Sequence, residues 1–313
     1  MALRPLEPLL RRGDIVDVVA PGFRCAPERL AAGLAFLRGL GLEPRVPRHL
    51  FGKDLLCANS DAARLAHLKR ALEAPDSRCI WCVRGGYGAI RFIENLAKLA
   101  PPRRRKLFIG YSDATTLHYL FNQHWRWPSL HGPLLDGLGS GTLPATEIEE
   151  LKGVLFGRLP CVRFEGLTPL NAAAKRSALV KSKVFGGNLT VLQTILGTAL
   201  QREPRQILVL EDVGERGYRI DRTLQHLAQA GALRGVRAVV LGAFIGGQES
   251  DGRTLVPEVL RRFAREQRFP VLSGMAVGHG EHQRPIFFGT SAELRCGASP
   301  RLSIATAVGT QRA

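Results

Sequence analysis

The sequence predicts an α/β protein in two domains, and three observations predict it. Continuous apolar stretches alternate with amphipathic helical patterns from Ile15 to about residue 140, the signature of a parallel sheet covered on both faces. The 313 residues are about twice a typical domain. The regular alternation also breaks after residue 157, where polar interruptions and short strand-like pieces take over.

In order, the first domain reads as follows. "IVDVVAP" (15–21) is a strand, and "PERLAAGLAFLRGL" (27–40) a helix with Pro27 in its first turn. "LEPRVP" is a second strand. "SDAARLAHLKRALEA" (60–74) is a helix that Ser60 can cap. "CIWCV" is a third strand, "GAIRFIENLAKL" a helix, "KLFIG" a fourth strand and "DATTLHYLFNQ" another helix. The expected division is a first domain over 1–145, a linker region over 146–180 that opens with the helix "TEIEELKGVLFG" (146–157), and a second domain over 181–313. The second domain mixes "VFGGNLTVLQTILGT", "QILVLEDVG", "RIDRTLQHLAQAG", "RAVVLGAF" and "PEVLRRFAREQ" with a strand-rich tail. There is no internal repeat and no low-complexity segment.

Composition narrows the function classes. Hydrophobic content of 45% and charged content of 23% are ordinary for a globular protein. No apolar run approaches the roughly 18 residues of a membrane span, and Glu7, Arg11 and Arg12 interrupt any signal-like region. A cytoplasmic protein is expected. The net charge of +17 invites nucleic acid as a partner, but the basic residues are scattered and no helix carries a basic stripe with aromatics, so none is expected. Of six cysteines only Cys79 and Cys82 form a C-x-x-C. They lie on a strand, where residues three apart face opposite ways, so reduced thiols are expected and no metal site.

Candidate site residues cluster at strand ends. Ser112 stands in "KLFIGYSDATTLHYL", where a strand stops and a helix begins. Ligands of open α/β sheets gather there, and a helix N-terminus offers N–H groups to an oxyanion. Serine at such a place is also an ordinary N-cap, and "GYSDA" lacks the second glycine of a hydrolase G-x-S-x-G. "VRGGYGAIR" follows the third strand without the spacing of a nucleotide loop. Its glycines allow close approach of a ligand, and Arg84 can hold a carboxylate. A serine nucleophile needs a base and the base an orienter. His279, between glycines in "AVGHGEHQRP", is the histidine best placed to project from a loop. Glu211 ends the strand in "VLEDVGERGYRIDR", with Asp212 and Glu215 in competition.

Together "RGGYGA", "GYSDATTLH" followed by "HGP", "LEDVGERGYRIDR" and "GHG" resemble, in order and spacing, the L,D-carboxypeptidases, serine peptidases that include murein tetrapeptide carboxypeptidases and microcin C self-immunity peptidases. "GDIVDVVAPG" and "VFGGNLTVL" also look like landmarks of that family. The resemblance implies a flavodoxin-like or glutamine-amidotransferase-like N-terminal domain and a smaller β-rich C-terminal domain. It implies a triad of Ser112 as nucleophile, Glu211 as orienter and His279 as base. The oxyanion would be held by the backbone N–H groups of Gly86 and Asp113, and substrate by Arg84, Gly85 and Tyr87. It further implies a homodimer, a murein peptide substrate, release of a terminal D-amino acid such as D-alanine, and no cofactor. The stretch "HQRPI" departs from the family pattern and bears on specificity. An immunity-type peptidase cutting aminoacyl-nucleotide amides is the nearest alternative, although only Tyr218 is an aromatic near Glu211. A non-catalytic module binding anionic ligands or nucleic acid is the alternative of another class.

Overall fold

The structure is a computed structural model that describes residues 9–202 and 205–306. The chain divides into two compact units. Among the described residues, unit 1 comprises 9–160, 284–286 and 306, and unit 2 comprises 161–202, 205–283 and 287–305.

Unit 1 starts with β1 (Ile15–Val19), α1 (Pro27–Gly39), β2 (Glu43–Arg45), α2 (Asp61–Glu73) and β3 (Ser77–Cys82). Ser60 does cap α2, its hydroxyl accepting from the Ala63 N–H at 3.3 Å. The helix expected after the glycine loop splits into a 3-10 turn, Ala89–Arg91, and the short α3 (Ile93–Ala97). β4 (Leu107–Gly110) leads through a 3-10 turn, Ser112–Ala114, into α4 (Thr115–Tyr119), which widens into a π turn, Leu120–His124. β5 (Ser129–His131), α5 (Leu135–Ser140) and α6 (Ala145–Leu155) follow. Strands β2, β1, β3, β4 and β5 lie side by side in that order, and the strand Ile286–Phe288 completes the six-stranded sheet. All four pairings among β1 to β5 are parallel. This is the flavodoxin-like order, with its switch point between β1 and β3. β3 and β4 are apolar and almost wholly buried, as a sheet covered on both faces requires.

The stretch 146–180, expected as a linker, is divided between the units. Leu151, Val154 and Leu155 of α6 are buried in unit 1. From Cys161 the chain builds unit 2 through β6 (Cys161–Phe164), β7 (Thr168–Pro169) and α7 (Ala172–Lys175). In β6 only Val162 and Phe164 alternate inward, too short a pattern to separate from loop by sequence.

Unit 2 continues with β8 (Leu179–Asn188), α8 (Leu189–Gln193), β9 (Ile207–Val213), α9 (Gly217–Gln229), β10 (Ala238–Ile245), α10 (Val256–Glu266), β11 (Val271–Ser273), then, after the strand already described (β12), β13 (Ser291–Arg295) and β14 (Arg301–Ala305). The eight-stranded mixed sheet runs β6-β14-β13-β8-β9-β10-β11-β7. β8 joins two styles of sheet. Its first half pairs antiparallel with β13 and alternates outward and inward, as a sheet with one wet face does. Its second half is wholly buried and pairs parallel with β9. Helix α9 buries Ile220, Thr223, Leu224 and Leu227, one apolar stripe at helical spacing. Glu211 sits at the carboxyl end of this buried parallel part.

Candidate active site

The unit 1 candidates gather where β1, β3 and β4 end. β4 stops at Gly110, and Ser112 takes φ +62°. A non-glycine residue in this left-handed region carries strain and marks a turn under constraint. The side chain does not cap the helix: Tyr111 occupies the cap position, and no side-chain cap bond is made there. The N-cap reading of Ser112 therefore does not hold, because the serine lies one position inside the helix on a strained backbone.

The glycine loop lies directly against this turn. A Cβ added to Gly85 would stand 2.7 Å from Ser112 Cβ and 2.9 Å from its Oγ. Only glycine allows this approach. The Phe23 N–H, at the end of β1, donates to the Gly85 carbonyl at 2.8 Å. The Asp113 side chain accepts from the Gly88 N–H at 3.1 Å and the Ala89 N–H at 3.0 Å. Burial raises the Asp113 carboxyl to about 6, against the lowering effect of those two N–H groups and of Arg64. The Cys57 thiol contacts the Tyr87 carbonyl at 3.5 Å, and the Tyr87 side chain is partly exposed.

Behind the turn lies His118, fully buried. Its Nε2 is 2.8 Å from the Gly110 carbonyl and its Nδ1 2.7 Å from the Ser129 hydroxyl. A carbonyl only accepts, so Nε2 carries the hydrogen. Burial lowers the His118 pKa to about 4, which keeps the ring neutral. In the sequence His118 reads as an ordinary helix histidine. The signal that could have found it is its place one turn into the helix after Ser112, on an apolar segment.

Arg84 is not buried. Its side chain is 43% exposed, and its Nε stands 3.6 Å from Asp136 Oδ2. Burial raises the Asp136 carboxyl, and Arg84 opposes that rise. Such a partly exposed pair contributes little to stability, and the guanidinium fork keeps donors for another anion. In "HQRPI", Arg284 is engaged by Glu150 of α6 through two bonds of 2.7 and 2.6 Å. Cys79 and Cys82 are fully buried free thiols that burial pushes well up in pKa.

In unit 2 the predicted acid and base pair with each other. Glu211 is 0% exposed, and its Oε2 lies 2.7 Å from His279 Nδ1, whose side chain is 17% exposed. A carboxylate accepts, so Nδ1 carries the hydrogen and Nε2 presents its lone pair. Gly278, at φ +123°, brings the loop onto Glu211: a Cβ there would lie 3.0 Å from Glu211 Oε2. The competing acids have other partners. Asp212 accepts from the Thr190 N–H and hydroxyl at 2.9 and 2.7 Å and from the Val213 N–H at 2.8 Å. Glu215 pairs with Arg219 at 3.4 Å. Thus Arg84, Gly85, Gly86, Tyr87, Ser112 and Asp113 gather in unit 1, and Glu211 and His279 meet in unit 2. Among the described residues, no group of three or more His, Cys, Asp or Glu side chains could hold a metal ion, and no helix is long and apolar enough to cross a membrane.

Residues 16–132 match the LD-carboxypeptidase N-terminal domain, and residues 181–294 match the LD-carboxypeptidase C-terminal domain. A Rickettsia conorii protein with a provisional carboxypeptidase name is 38% identical over 280 residues, which are 89% of this chain and 87% of that protein. The murein tetrapeptide carboxypeptidase of Pseudomonas aeruginosa is 30% identical over 285 residues, 89% of this chain and 92% of its own. The crystal structure of a muramoyltetrapeptide carboxypeptidase from Oxalobacter formigenes superposes with a TM-score of 0.79 at 26% identity, covering 93% of this chain and 98% of that one.

Proposed function

The chain belongs to the LD-carboxypeptidase family, peptidase S66, a family of serine hydrolases, and from this premise we propose that it releases the terminal D-amino acid from murein tetrapeptides through Ser112, His279 and Glu211. The observation that carries the reading is the backbone of Ser112: a strained, uncapping serine pressed against Gly85 at a strand end. Strained residues concentrate at functional sites.

In this proposal the Ser112 hydroxyl attacks the carbonyl carbon of the L,D-amide, and His279 Nε2 takes its proton. The negative charge that forms on the carbonyl oxygen is held by the N–H groups of Gly86 and Asp113. The tetrahedral intermediate collapses, the C–N bond breaks, and His279 gives its proton to the departing amine. Water then attacks the acyl-serine with His279 as base again, freeing the shortened peptide and restoring Ser112. Glu211 holds the Nδ1–H tautomer and stabilises the imidazolium at each stage. Arg84 would bind the terminal carboxylate and so select which carbonyl reaches Ser112. Gly85 and Tyr87 would line that end of the substrate. The homodimer and the cytoplasmic site of action implied by the family resemblance belong to the same proposal.

The aminoacyl-nucleotide reading gains no support from Tyr218. Arg216, Arg219 and Arg222 stand 5.3, 5.9 and 5.8 Å from its ring centroid, so cations already occupy the surroundings of the aromatic that would stack a base. The test is mass spectrometry of a murein tetrapeptide, a D,D-linked pentapeptide and an aminoacyl-sulfamoyl nucleotide with wild type and Ser112→Ala. The expected result is loss of one residue from the tetrapeptide by the wild type alone. Preference for the nucleotide substrate, or turnover by folded Ser112→Ala, would contradict the proposal.

A further inference from the structure

We propose that the Asp113 side chain is a positioning residue that locks the glycine loop carrying Gly86 to the turn carrying Ser112, so that the oxyanion donors and the nucleophile keep one fixed spacing. The inference rests on the proposed serine mechanism and assigns the side chain a task separate from that of its backbone N–H.

The loop after β3 is held by several contacts. The Gly85 carbonyl takes the Phe23 N–H at 2.8 Å, and the Tyr87 carbonyl takes the Cys57 thiol contact at 3.5 Å. The Gly88 and Ala89 N–H groups both go to the Asp113 carboxylate. None of these contacts uses the Gly86 N–H. A Cβ on Gly86 would fall 2.3 Å from the Phe23 ring, so the loop is seated on that ring as well. The two bonds to Asp113 tie the loop to the nucleophile's own turn, since Asp113 follows Ser112 directly. The carboxylate is 3% exposed, and a Cβ on Gly22 would lie 2.9 Å from its Oδ2. The ends of β1, β3 and β4 thus converge on one side chain.

A neutral residue would fill this place at lower cost. Burial pushes the carboxyl up to about 6, so above that pH the fold holds an ion it would rather not hold. What the ion gives in return is two charge-assisted bonds to adjacent N–H groups. The two N–H groups go to different carboxylate oxygens, so an asparagine would turn its NH2, which only donates, toward one of them. Oxyanion donors act through preorganisation, and a loop displaced by about 1 Å can cost on the order of 100-fold in rate.

The experiment compares wild type with Asp113→Asn by three measurements: residue-resolved amide hydrogen exchange at Gly88 and Ala89, kcat and KM for the tetrapeptide, and thermal unfolding. In wild type both amides should be protected as strongly as the core amides of β3. In Asp113→Asn their exchange should rise at least tenfold and kcat should fall about 100-fold. KM should stay within about threefold and the unfolding temperature within a few degrees. Unprotected Gly88 and Ala89 amides in wild type would overturn the lock without any variant being needed. So would a folded Asp113→Asn with wild-type kcat. A wild type that cuts no peptide, with both amides responding to the substitution, would overturn the peptidase reading and the catalytic purpose of the lock, while confirming the clamp itself.

Discussion

The Ser112 turn and the Glu211–His279 pair are built by different means. At Ser112 the geometry is stored in the main chain: φ +62°, a glycine with no room for a Cβ, and a loop held through its N–H and carbonyl groups. At Glu211 it is stored in charge and tautomer: one fully buried carboxylate, one 2.7 Å bond and a partly exposed imidazole. Glu211 Oε1 is buried with no hydrogen-bond partner, so this acid is poorly satisfied as a structural group. The contrast extends to the two histidines. His118 is sealed and kept neutral behind the Ser112 turn, whereas the His279 side chain is 17% exposed and bonds Glu211 through Nδ1. Substitutions in the first region should act as changes of shape, and those in the second as changes of proton affinity.

The largest effect that separates them is expected for Glu211→Gln. The shape is kept, but an amide can stabilise the wrong tautomer and cannot stabilise an imidazolium. A kcat loss of roughly 10³–10⁴ is expected with KM nearly unchanged. Circular dichroism should show an intact fold, since a buried charge is removed rather than stranded. A loss below about tenfold would mean that the pair does not orient the base.

Gly85→Ala should come next, and it should differ in kind. The new methyl would meet Ser112 Cβ at 2.7 Å, so the turn or the loop must move. About 100-fold in kcat and about 1–3 kcal/mol of stability should be lost together, as read by kinetics and urea unfolding. Wild-type activity in Gly85→Ala would show that the backbone spacing at Ser112 does not matter.

Arg84→Ala is expected to be milder. Its guanidinium is half exposed and tied only loosely to Asp136, so stability should hardly change. If the side chain binds the terminal carboxylate, KM should rise about tenfold, and Arg84→Lys should not restore it, because a point charge lacks the guanidinium fork. An unchanged KM would remove Arg84 from the substrate site.

The smallest effect is one of pH on stability. The folded pKa of His118, lowered to about 4, lies below the usual 6.5. The unfolded chain therefore takes up the proton first as pH falls. The stabilising contribution is complete above pH 6.5 and is lost on going down towards pH 4. Thermal unfolding of His118→Asn against wild type should show this acid loss reduced, by on the order of 1–3 kcal/mol. An identical acid limb in both proteins would contradict the assignment of a neutral His118.

Much of this layout could be read from the residues, and the misses have physical causes. The alternation of apolar strands and helices marks the parallel sheet, and "GYSD" at a strand end marks Ser112. Nothing in a serine announces a left-handed backbone, which is imposed by what surrounds it. The choice among Glu211, Asp212 and Glu215 was open because strand alternation says that neighbours face opposite ways without saying which face is the site. In the structure Thr190 and Arg219 engage the other two. The clamp of Asp113 on Gly88 and Ala89 joins residues about two dozen positions apart, and the partner of Arg84 lies in α5. Such contacts follow from strand order, which local patterns do not contain. The return of 284–286 to unit 1 was missed for the same reason.

The central claim is that Ser112 is the nucleophile and that His279 activates it. It is tested most directly by reacting the protein with a fluorophosphonate, mapping the adduct by peptide mass spectrometry, and repeating the reaction with His279→Ala. The account predicts a single adduct on Ser112, formed at least about 100-fold more slowly in the folded His279→Ala variant. An adduct on another serine, or labelling of Ser112 at the wild-type rate without His279, would contradict it.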